Sequence, residues 1–148
     1  MKVAAAGGTT LAVLVTDLDG FKAVNDHFGH LEGNRLLQLT AQGLRQLCRG
    51  ADYVARMGGD EFVVILRGAT PEAVAGRMEQ MRRMVQAQAQ AVTGRECVSL
   101  SVGYSTFPED ALAAEQLLDI ADKRMFALKQ ELYRSGKKVR GEMFTPSA

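Results

Sequence analysis

Residues 11–26 read LAVLVTDLDGFKAVND, in which five apolar residues lead into two aspartates one position apart. A short continuous apolar run is typical of a central β-strand that is covered on both faces. Asp17 and Asp19 then fall at the carboxyl end of that strand, where ligands usually bind in α/β folds. Three interpretations are open: a phosphoryl-accepting nucleophile, a ligand of a divalent metal, or, for Asp19, the N-terminal cap of the next helix.

The composition is that of one ordinary globular domain. The 148 residues are 47% hydrophobic and 24% charged, with a formal net charge of +1. This charge argues against general binding to nucleic acid or to a membrane surface. Two scattered cysteines, Cys48 and Cys97, suit a reducing cytosol, and no apolar run approaches the ~20 residues of a membrane span. We therefore expect a single cytoplasmic domain over residues 1–148, with residues 1–9 as a flexible tail.

The apolar periodicity predicts the element order β-α-α-β-β-α-β-α-β, an α/β sandwich in which helices flank a central mixed five-stranded sheet. Residues 96–107 alternate between apolar and small or polar side chains, which predicts a half-buried strand. The other patterned segments are a helix over Gly33 to Cys48, a hairpin over residues 51–66, a helix start at Thr70-Pro71-Glu72, a helix with its apolar face at Leu118, Ala121, Met125, Leu128 and Leu132, and a short last strand over Glu142 to Phe144.

A second acidic pair, Asp60-Glu61, directly follows Gly58-Gly59 in the predicted hairpin. Glycines tolerate positive φ in a tight turn and let the backbone approach a bulky anion. Mg²⁺ takes one or two protein carboxylates and completes its shell with phosphate oxygens and water. If Asp17 and Asp60 come from neighbouring strands, they form a two-carboxylate clamp for the metals of a nucleoside triphosphate. A solvated hairpin tip is the alternative interpretation of the same residues.

The aspartate motif alone also resembles another class of enzyme. An apolar strand followed by Asp-x-Asp-Gly is similar to the first motif of haloacid-dehalogenase-type phosphatases, whose first aspartate is the nucleophile. That family continues with threonine where this chain has Phe21, and it needs a later acidic pair at a strand end that the sequence lacks. The match is partial.

Four motifs together resemble one family. RMGGDEF, residues 56–62, resembles the signature of the GGDEF domain, the catalytic module of diguanylate cyclases. DLDGFKAVNDHFGHLEGN, residues 17–34, is similar to that family's D-x-D-x-F-K-x-x-N-D-x-x-G-H-x-x-G-D pattern. SLSVGYSTFP, residues 99–108, and ADKRMFALK, residues 121–129, resemble its later strand and helix. The resemblance spans roughly residues 11–129 in order and spacing, and it implies a nucleotidyl-cyclase-like fold.

The resemblance implies a chemistry that needs two copies of the domain. Two GTP-loaded domains would meet as a homodimer, and each 3′-hydroxyl would attack the α-phosphate of the other GTP to give cyclic di-GMP and pyrophosphate. By position, Asp17 and Asp60 would hold Mg²⁺, or Mn²⁺ in its place, with the Leu18 carbonyl as a further ligand. Glu61 would deprotonate the attacking hydroxyl, with metal binding as its rival role. Asp19 is expected to shape the turn into the helix.

The same resemblance assigns the contacts to the nucleotide. Lys22 and Lys129 match phosphate-contacting lysines, although without the family they would be interpreted as solvated surface. Gly58 and Gly59 would let the backbone lie against the nucleotide. Asn25 matches the asparagine that reads guanine.

Position 34 departs from the family pattern, because Asn34 stands where the family usually has an aspartate that accepts hydrogen bonds from guanine. An amide oxygen still accepts, but it carries no charge, and its amino group would face a donor edge. A related subgroup that makes mixed cyclic GMP-AMP also replaces this aspartate. Relaxed purine choice is therefore a secondary hypothesis.

Arg49-Gly50-Ala51-Asp52 lies at the spacing of the family's R-x-x-D inhibitory site. The resemblance implies that Arg49 and Asp52 bind the product, cyclic di-GMP, on a face away from catalysis. An arginine can grip phosphate or guanine with two hydrogen bonds, and an aspartate can accept from guanine.

Both ends of the chain depart from the family. The helix and D-x-L-T-G-L-x-N-R segment that usually precede the first strand are absent, and we expect an upstream sensory domain in the full-length protein. After Lys129 the usual G-R-N arrives late, as Gly136-Lys137-Lys138, which leaves Arg134 as a candidate phosphate ligand. The alternative function is a module that binds GTP or cyclic di-GMP without turnover.

Overall fold

The computed structural model describes residues 9–134 of the chain. Residues 1–8 of the predicted tail and the predicted strand at Glu142 to Phe144 lie outside this range. The elements are β1 (Leu11–Asp19), α1 (Phe21–Phe28), α2 (His30–Gln46), β2 (Tyr53–Gly58), β3 (Glu61–Arg67), α3 (Pro71–Thr93), β4 (Ser99–Phe107) and α4 (Ala114–Arg134). Over the described residues this order is the predicted one.

The described strands form a four-stranded sheet in the order β2-β3-β1-β4, and every neighbouring pair is antiparallel. The prediction of a mixed five-stranded sheet is therefore wrong for this part of the chain. Each helical crossover does join two strands that run in the same direction, β1 to β2 and β3 to β4. One antiparallel strand lies between the members of each pair, so parallel strands never become neighbours.

Helices cover both faces of the sheet. Helices α1, α2 and α3 pack on the face that carries Ala12, Leu14 and Leu18, while α4 packs on the face that carries Val13 and Val15. The prediction that β1 is covered on both faces is confirmed. No helix within residues 9–134 is long and apolar enough to cross a membrane.

The prediction that β4 is half-buried is wrong, because α4 covers the face with the small residues. Ser101, Gly103 and Ser105 are all buried there, and the Ser105 hydroxyl donates to the carbonyl of Leu117 at 2.6 Å. Leu117, which the predicted apolar face omitted, is fully buried. The small residues of β4 therefore lie on the face against which α4 packs, and that face is not exposed to solvent.

Gly103 sets how closely α4 approaches the sheet. A Cβ atom at this position would lie 2.2 Å from the backbone nitrogen of Met125 and 2.3 Å from the carbonyl oxygen of Ala121. Only a residue without a side chain lets the helix backbone lie directly on the strand. Because α4 runs in the same direction as β1, this close packing carries Lys129, one turn beyond Met125, to the carboxyl end of β1.

The start of α3 confirms a prediction made from local sequence. The Thr70 hydroxyl accepts a hydrogen bond from the backbone N–H of Ala73 at 3.1 Å, and Pro71 occupies the first turn of the helix. This is the arrangement that a threonine followed by proline favours at an N-terminus.

Candidate functional site

The carboxyl end of β1 gathers acidic side chains from two strands and a turn. Asp17 of β1 lies opposite Glu61 of β3 and opposite Ser101 of β4, so these three side chains share the sheet face that α4 covers. The backbone N–H of Leu18 donates to the carbonyl of Asp60 at 3.3 Å. The predicted meeting of Asp17 with the Gly-Gly-Asp-Glu turn is therefore present in the structure.

The turn between β2 and β3 presents bare backbone to solvent. Gly58 has φ 149° and Gly59 has φ 54°, and the Arg56 guanidinium donates through Nε to the Gly59 carbonyl at 2.9 Å. Both glycines are exposed. A residue with a side chain would be strained at these positive φ angles, so the turn offers a surface that a large ligand can approach.

Burial and the repulsion of neighbouring carboxylates raise the pKa values of Asp60 and Glu61. Burial, together with the neighbouring carboxylate of Asp17, raises the pKa of Asp60 to about 7. Burial also raises the pKa of Glu61, and the charges of Asp122 and Asp17 add to that rise. Like charges at close range disfavour ionisation of both groups, so the cluster favours the arrival of a cation.

Lys129 of α4 supplies one positive charge to this cluster. Its ammonium forms an ion pair with Asp17 Oδ2 and lies 3.4 Å from Asp19 Oδ1. Burial alone would lower the pKa of Lys129, but the hydrogen bond to Asp17 and the charges of Asp17 and Asp19 outweigh it and raise the pKa. The interpretation of Lys129 as solvated surface is wrong, since its side chain is only 24% exposed.

Asp19 belongs to this cluster and does not cap α1. The N-cap of α1 is Gly20, in the left-handed conformation and with no side-chain cap hydrogen bond. The Asp19 carboxylate is buried, accepts a short hydrogen bond from the Ser101 hydroxyl and faces Lys129. Burial raises the pKa of Asp19, against the lowering effects of Ser101 and Lys129. The Asp19 expectation fails because the next residue, a glycine, makes the turn by itself.

The donor set fits a metal that shares its shell with a ligand. Asp17 Oδ1 is buried and has no hydrogen-bond partner among the residues that the structure describes. Within residues 9–134, no group of three or more His, Cys, Asp or Glu side chains could hold a metal unaided. Mg²⁺ does not need such a cage, because one or two carboxylates suffice when phosphate oxygens and water complete its shell. Asp17 and the neighbouring Asp60 are two carboxylates of this kind.

Glu61 is also accessible from a pocket of about 350 Å³ on the α4 side of the sheet. The other lining residues are Val15, Met57, Val63, Leu118, Asp119 and Asp122. The carboxylate can therefore be reached by a substrate while it remains partly desolvated.

The expected base-reading residues lie on the α1–α2 pair. Asn25 is half-buried on α1, and Asn34 and Lys22 are exposed. Gly29, at φ 95°, separates the two helices, and α1 packs against α2.

Arg134 is the last residue of α4 and is largely exposed, with its guanidinium nitrogen 4.0 Å from a carboxylate oxygen of Glu131. No contact in the described residues links Arg134 to the acidic cluster.

The expected inhibitory pair lies at the other end of the sheet. The Asp52 carboxylate accepts hydrogen bonds from the backbone N–H groups of Arg49 at 2.9 Å and Arg67 at 3.1 Å, and from the Arg77 guanidinium at 3.3 Å. Arg67 and Glu61 are six residues apart on β3, or about 20 Å at ~3.4 Å per residue. Asp52 is thus an internal tie as well as a candidate ligand, while the Arg49 side chain is exposed.

Arg77 is a residue that the sequence interpretation missed. Its guanidinium also donates to the carbonyl of Leu47 at 2.6 Å, so it joins α3 to the loop that carries Arg49 and Asp52. Its position within the long helix α3 gives no local signal of this role, because the contact spans 25 residues.

Comparison with known proteins identifies the family. The family model described as "Diguanylate cyclase, GGDEF domain" matches residues 1–134. The chain belongs to the GGDEF family, and both the resemblance noted in its motifs and its α/β fold class are confirmed.

Named cyclases are among its relatives. Diguanylate cyclase A of Treponema denticola is 34% identical over 122 residues, which are 82% of this chain and 33% of that protein. Diguanylate cyclase DosC of Escherichia coli is 35% identical over 128 residues, which are 83% of this chain and 27% of that protein. The chain therefore spans about a third or less of the length of these curated relatives.

Solved structures share the fold. A sensory box/GGDEF family protein from Caulobacter crescentus has a TM-score of 0.70 and 36% identity, covering 85% of this chain and 82% of its own. The GGDEF domain of DgcB from Caulobacter crescentus, solved in complex with c-di-GMP, has a TM-score of 0.72 and 27% identity, covering 90% of this chain and 77% of its own.

Proposed function

We propose that this chain is a diguanylate cyclase domain that condenses two GTP molecules into cyclic di-GMP and two pyrophosphates. One observation carries the proposal. The cluster of Asp17, Asp60 and Glu61 lies beside the exposed Gly58-Gly59 turn. The Lys129 ammonium reaches this cluster from α4 and pairs with Asp17. This arrangement can hold a metal-bound triphosphate and also offers a carboxylate that accepts a proton.

Asp17 and Asp60 would hold Mg²⁺ or Mn²⁺ together with the Leu18 carbonyl. The bound metal would supply charge neutralisation on the phosphates and a lower pKa for the attacking hydroxyl. Glu61 would accept the proton of the 3′-hydroxyl, and its raised pKa makes it a stronger base than an exposed glutamate. The 3′-oxygen forms a bond to the α-phosphorus, the bond to the β-phosphate oxygen breaks, and pyrophosphate leaves.

Positioning of the nucleotide would fall to groups around this cluster. Lys129 and Lys22 would contact phosphates, and the Gly58-Gly59 backbone would lie against the nucleotide. Asn25 and Asn34 would contact the base. Phosphoryl transfer depends mainly on such positioning and on electrostatic stabilisation. Because one chain contributes one such site and the product joins two nucleotides head to tail, the reaction would take place between two facing copies.

Product inhibition would act through Arg49, with Asp52 and Arg77 beside it. The loop of Arg49 lies about 20 Å from Glu61 along β3, so a bound product there would not occupy the catalytic cluster. The exposed Arg49 guanidinium is available to phosphate or guanine. Replacement by Arg49→Ala should weaken cyclic di-GMP binding without loss of stability, since only its backbone N–H bonds to Asp52. Unchanged affinity for the product would reject this assignment.

The experiment is incubation of the protein with GTP, ATP and Mg²⁺, with products identified by mass spectrometry. Cyclic di-GMP from the wild type, abolished in Asp60→Asn and retained in the surface variant Glu131→Gln, is the expected result. The longer protein, with the region that precedes this segment and the sensory domain we expect there, should be tested in parallel. Absence of any dinucleotide from both forms would overturn the enzymatic proposal.

A second candidate follows from Asn34, where an amide stands in place of a carboxylate. The domain would then bind GTP or cyclic di-GMP without turnover, or would accept adenine as well as guanine. Nucleotide binding without any product would favour the first outcome. Mixed cyclic GMP-AMP in excess of cyclic di-GMP would favour the second and would identify Asn34 as its cause if Asn34→Asp restores guanine preference.

A further inference from the structure

Gly33 stands where a glycine is unfavourable. It is buried in the first turns of α2, and glycine within a helix costs roughly 0.5–1 kcal/mol relative to alanine. Its φ lies outside the range of +20° to +160° that favours glycine, so its backbone conformation does not require glycine. The reason for a glycine must therefore lie in what surrounds it.

The surroundings of Gly33 are dominated by one side chain. A Cβ atom at position 33 would lie 1.8 Å from Asn25 Oδ1 and 2.9 Å from Asn25 Cγ, with Phe21 Cζ next at 3.4 Å. The Asn25 amide thus rests directly on the bare backbone of α2. A methyl group there would have to displace the amide by more than an ångström to reach an ordinary contact distance.

The Asn25 amide is held by this packing and not by hydrogen bonds. Its side chain makes no hydrogen bond to any residue in the described range of 9–134, although the backbone carbonyl of Asn25 accepts from Gly29 at 2.9 Å. An amide that packs against the helix in this way and makes no hydrogen bond to the described residues can pair with a ligand, and it loses little freedom on binding.

We infer that Gly33 is a positioning residue that seats the Asn25 amide for base recognition. This inference rests on the proposed function, in which Asn25 contacts the guanine. A hydrogen-bonding group that is fixed in position can discriminate between bases, whereas a shift of about an ångström removes much of its effect. Gly33 touches no base itself and acts only through Asn25.

The test measures purine preference in four variants. Displacement of a fluorescent GTP analogue by GTP and by ATP, with Mg²⁺ present, gives the ratio of the two affinities. Gly33→Ala should lower the preference for GTP over ATP about tenfold, as Asn25→Ala should. In the double variant, Gly33→Ala should add less than about twofold, because the amide that it collides with is gone.

Gly43→Ala is the matched control. Gly43 is buried in the same helix, but a Cβ there would meet the flexible side chain of Met84, with Sδ at 2.5 Å, far along α2 from Asn25. It should leave the affinity ratio unchanged within about twofold. Circular dichroism and thermal unfolding should be measured for every variant, so that a loss of folding is distinguished from a change in base preference.

The possible outcomes distinguish a failure of the role inferred for Gly33 from a failure of the role proposed for Asn25. If Asn25→Ala lowers the preference for GTP and Gly33→Ala does not, the positioning role of Gly33 is overturned and the proposed role of Asn25 stands. If neither variant changes the ratio, the proposed role of Asn25 falls and that of Gly33 falls with it. An equal loss in Gly43→Ala would show a general effect of crowding α2 and would also overturn the inference.

Discussion

Gly103→Ala should destabilise the protein, although alanine is the better strand residue. The added methyl group would lie 2.2 Å from the Met125 nitrogen, 2.3 Å from the Ala121 oxygen and 2.7 Å from the Met125 Cα. All three are backbone atoms of α4, so no change of rotamer relieves the collision. The helix must move away from β4, and it carries Leu117, Ala121 and Met125 out of their packing against β1.

The expected loss is about 2–3 kcal/mol, the upper part of the range for an overpacked core. With a urea dependence of about 2 kcal/mol per molar, the midpoint of urea unfolding should fall by about 1–1.5 M. Circular dichroism at increasing urea concentration measures it. Gly76→Ala is the control, because its Cβ would enter open space on α3, and it should raise stability by about 0.5–1 kcal/mol. If the urea midpoint of Gly103→Ala is equal to or higher than that of the wild type, the close packing of α4 against β4 is refuted.

Three further predictions concern local contacts. Thr70→Ala removes the N-terminal cap of α3 and should lower stability by about 1 kcal/mol in urea unfolding; Thr70→Ser should retain most of it, and equal losses would reject the cap. The hydrogen bond from Arg124, then the one from the Thr106 N–H, lowers the pKa of Asp110. Its contribution is therefore present above the unfolded-state pKa and is lost as pH falls through the lower folded-state value. The stability difference between wild type and Asp110→Asn should shrink below about pH 4, and a difference independent of pH would contradict this. Finally, Mg²⁺ with GTP should raise the melting temperature of the wild type, because a ligand that binds only the folded state stabilises it, and Asp60→Asn should lose most of that rise; an undiminished rise would remove Asp60 from the metal site.

The parts of the site that were predictable from sequence depend on short-range signals. The pair of glycines before Asp60 predicts a tight turn, and an apolar run before Asp17 predicts a central strand. Once β1 and β3 are neighbours, Asp17 and Glu61 come opposite each other in the ladder. Thr70 likewise predicts the start of α3, because the backbone N–H that it caps belongs to Ala73, only three residues later.

The parts that were not predictable depend on packing between distant segments. Lys129 meets Asp17 across 112 residues, and that contact depends on the small residue Gly103, which lets α4 approach the sheet. The small and polar positions of β4 have the alternation of a solvent-facing strand, so Ser101 gave no sign that it would bind a buried carboxylate. Hydrophobic periodicity and strand propensity are properties of one segment, whereas the burial of the second face of β4 depends on the distant helix that covers it.

Two buried carboxylate oxygens at the end of β1, Oδ1 of Asp17 and Oδ1 of Asp19, have no hydrogen-bond partner in the described residues and are open to a cation. The other oxygen of Asp19 accepts a hydrogen bond from the Ser101 hydroxyl, and burial raises the pKa of Asp60 to about 7. Lys129 satisfies one oxygen of Asp17, whereas the other, Oδ1, is buried without a hydrogen-bond partner in the described part of the chain. An unpaired buried carboxylate oxygen is costly in a fold that gains nothing from it. Such an oxygen beside the glycine turn is accounted for if a bound cation pairs with it, and until then the Lys129 ammonium balances part of the negative charge.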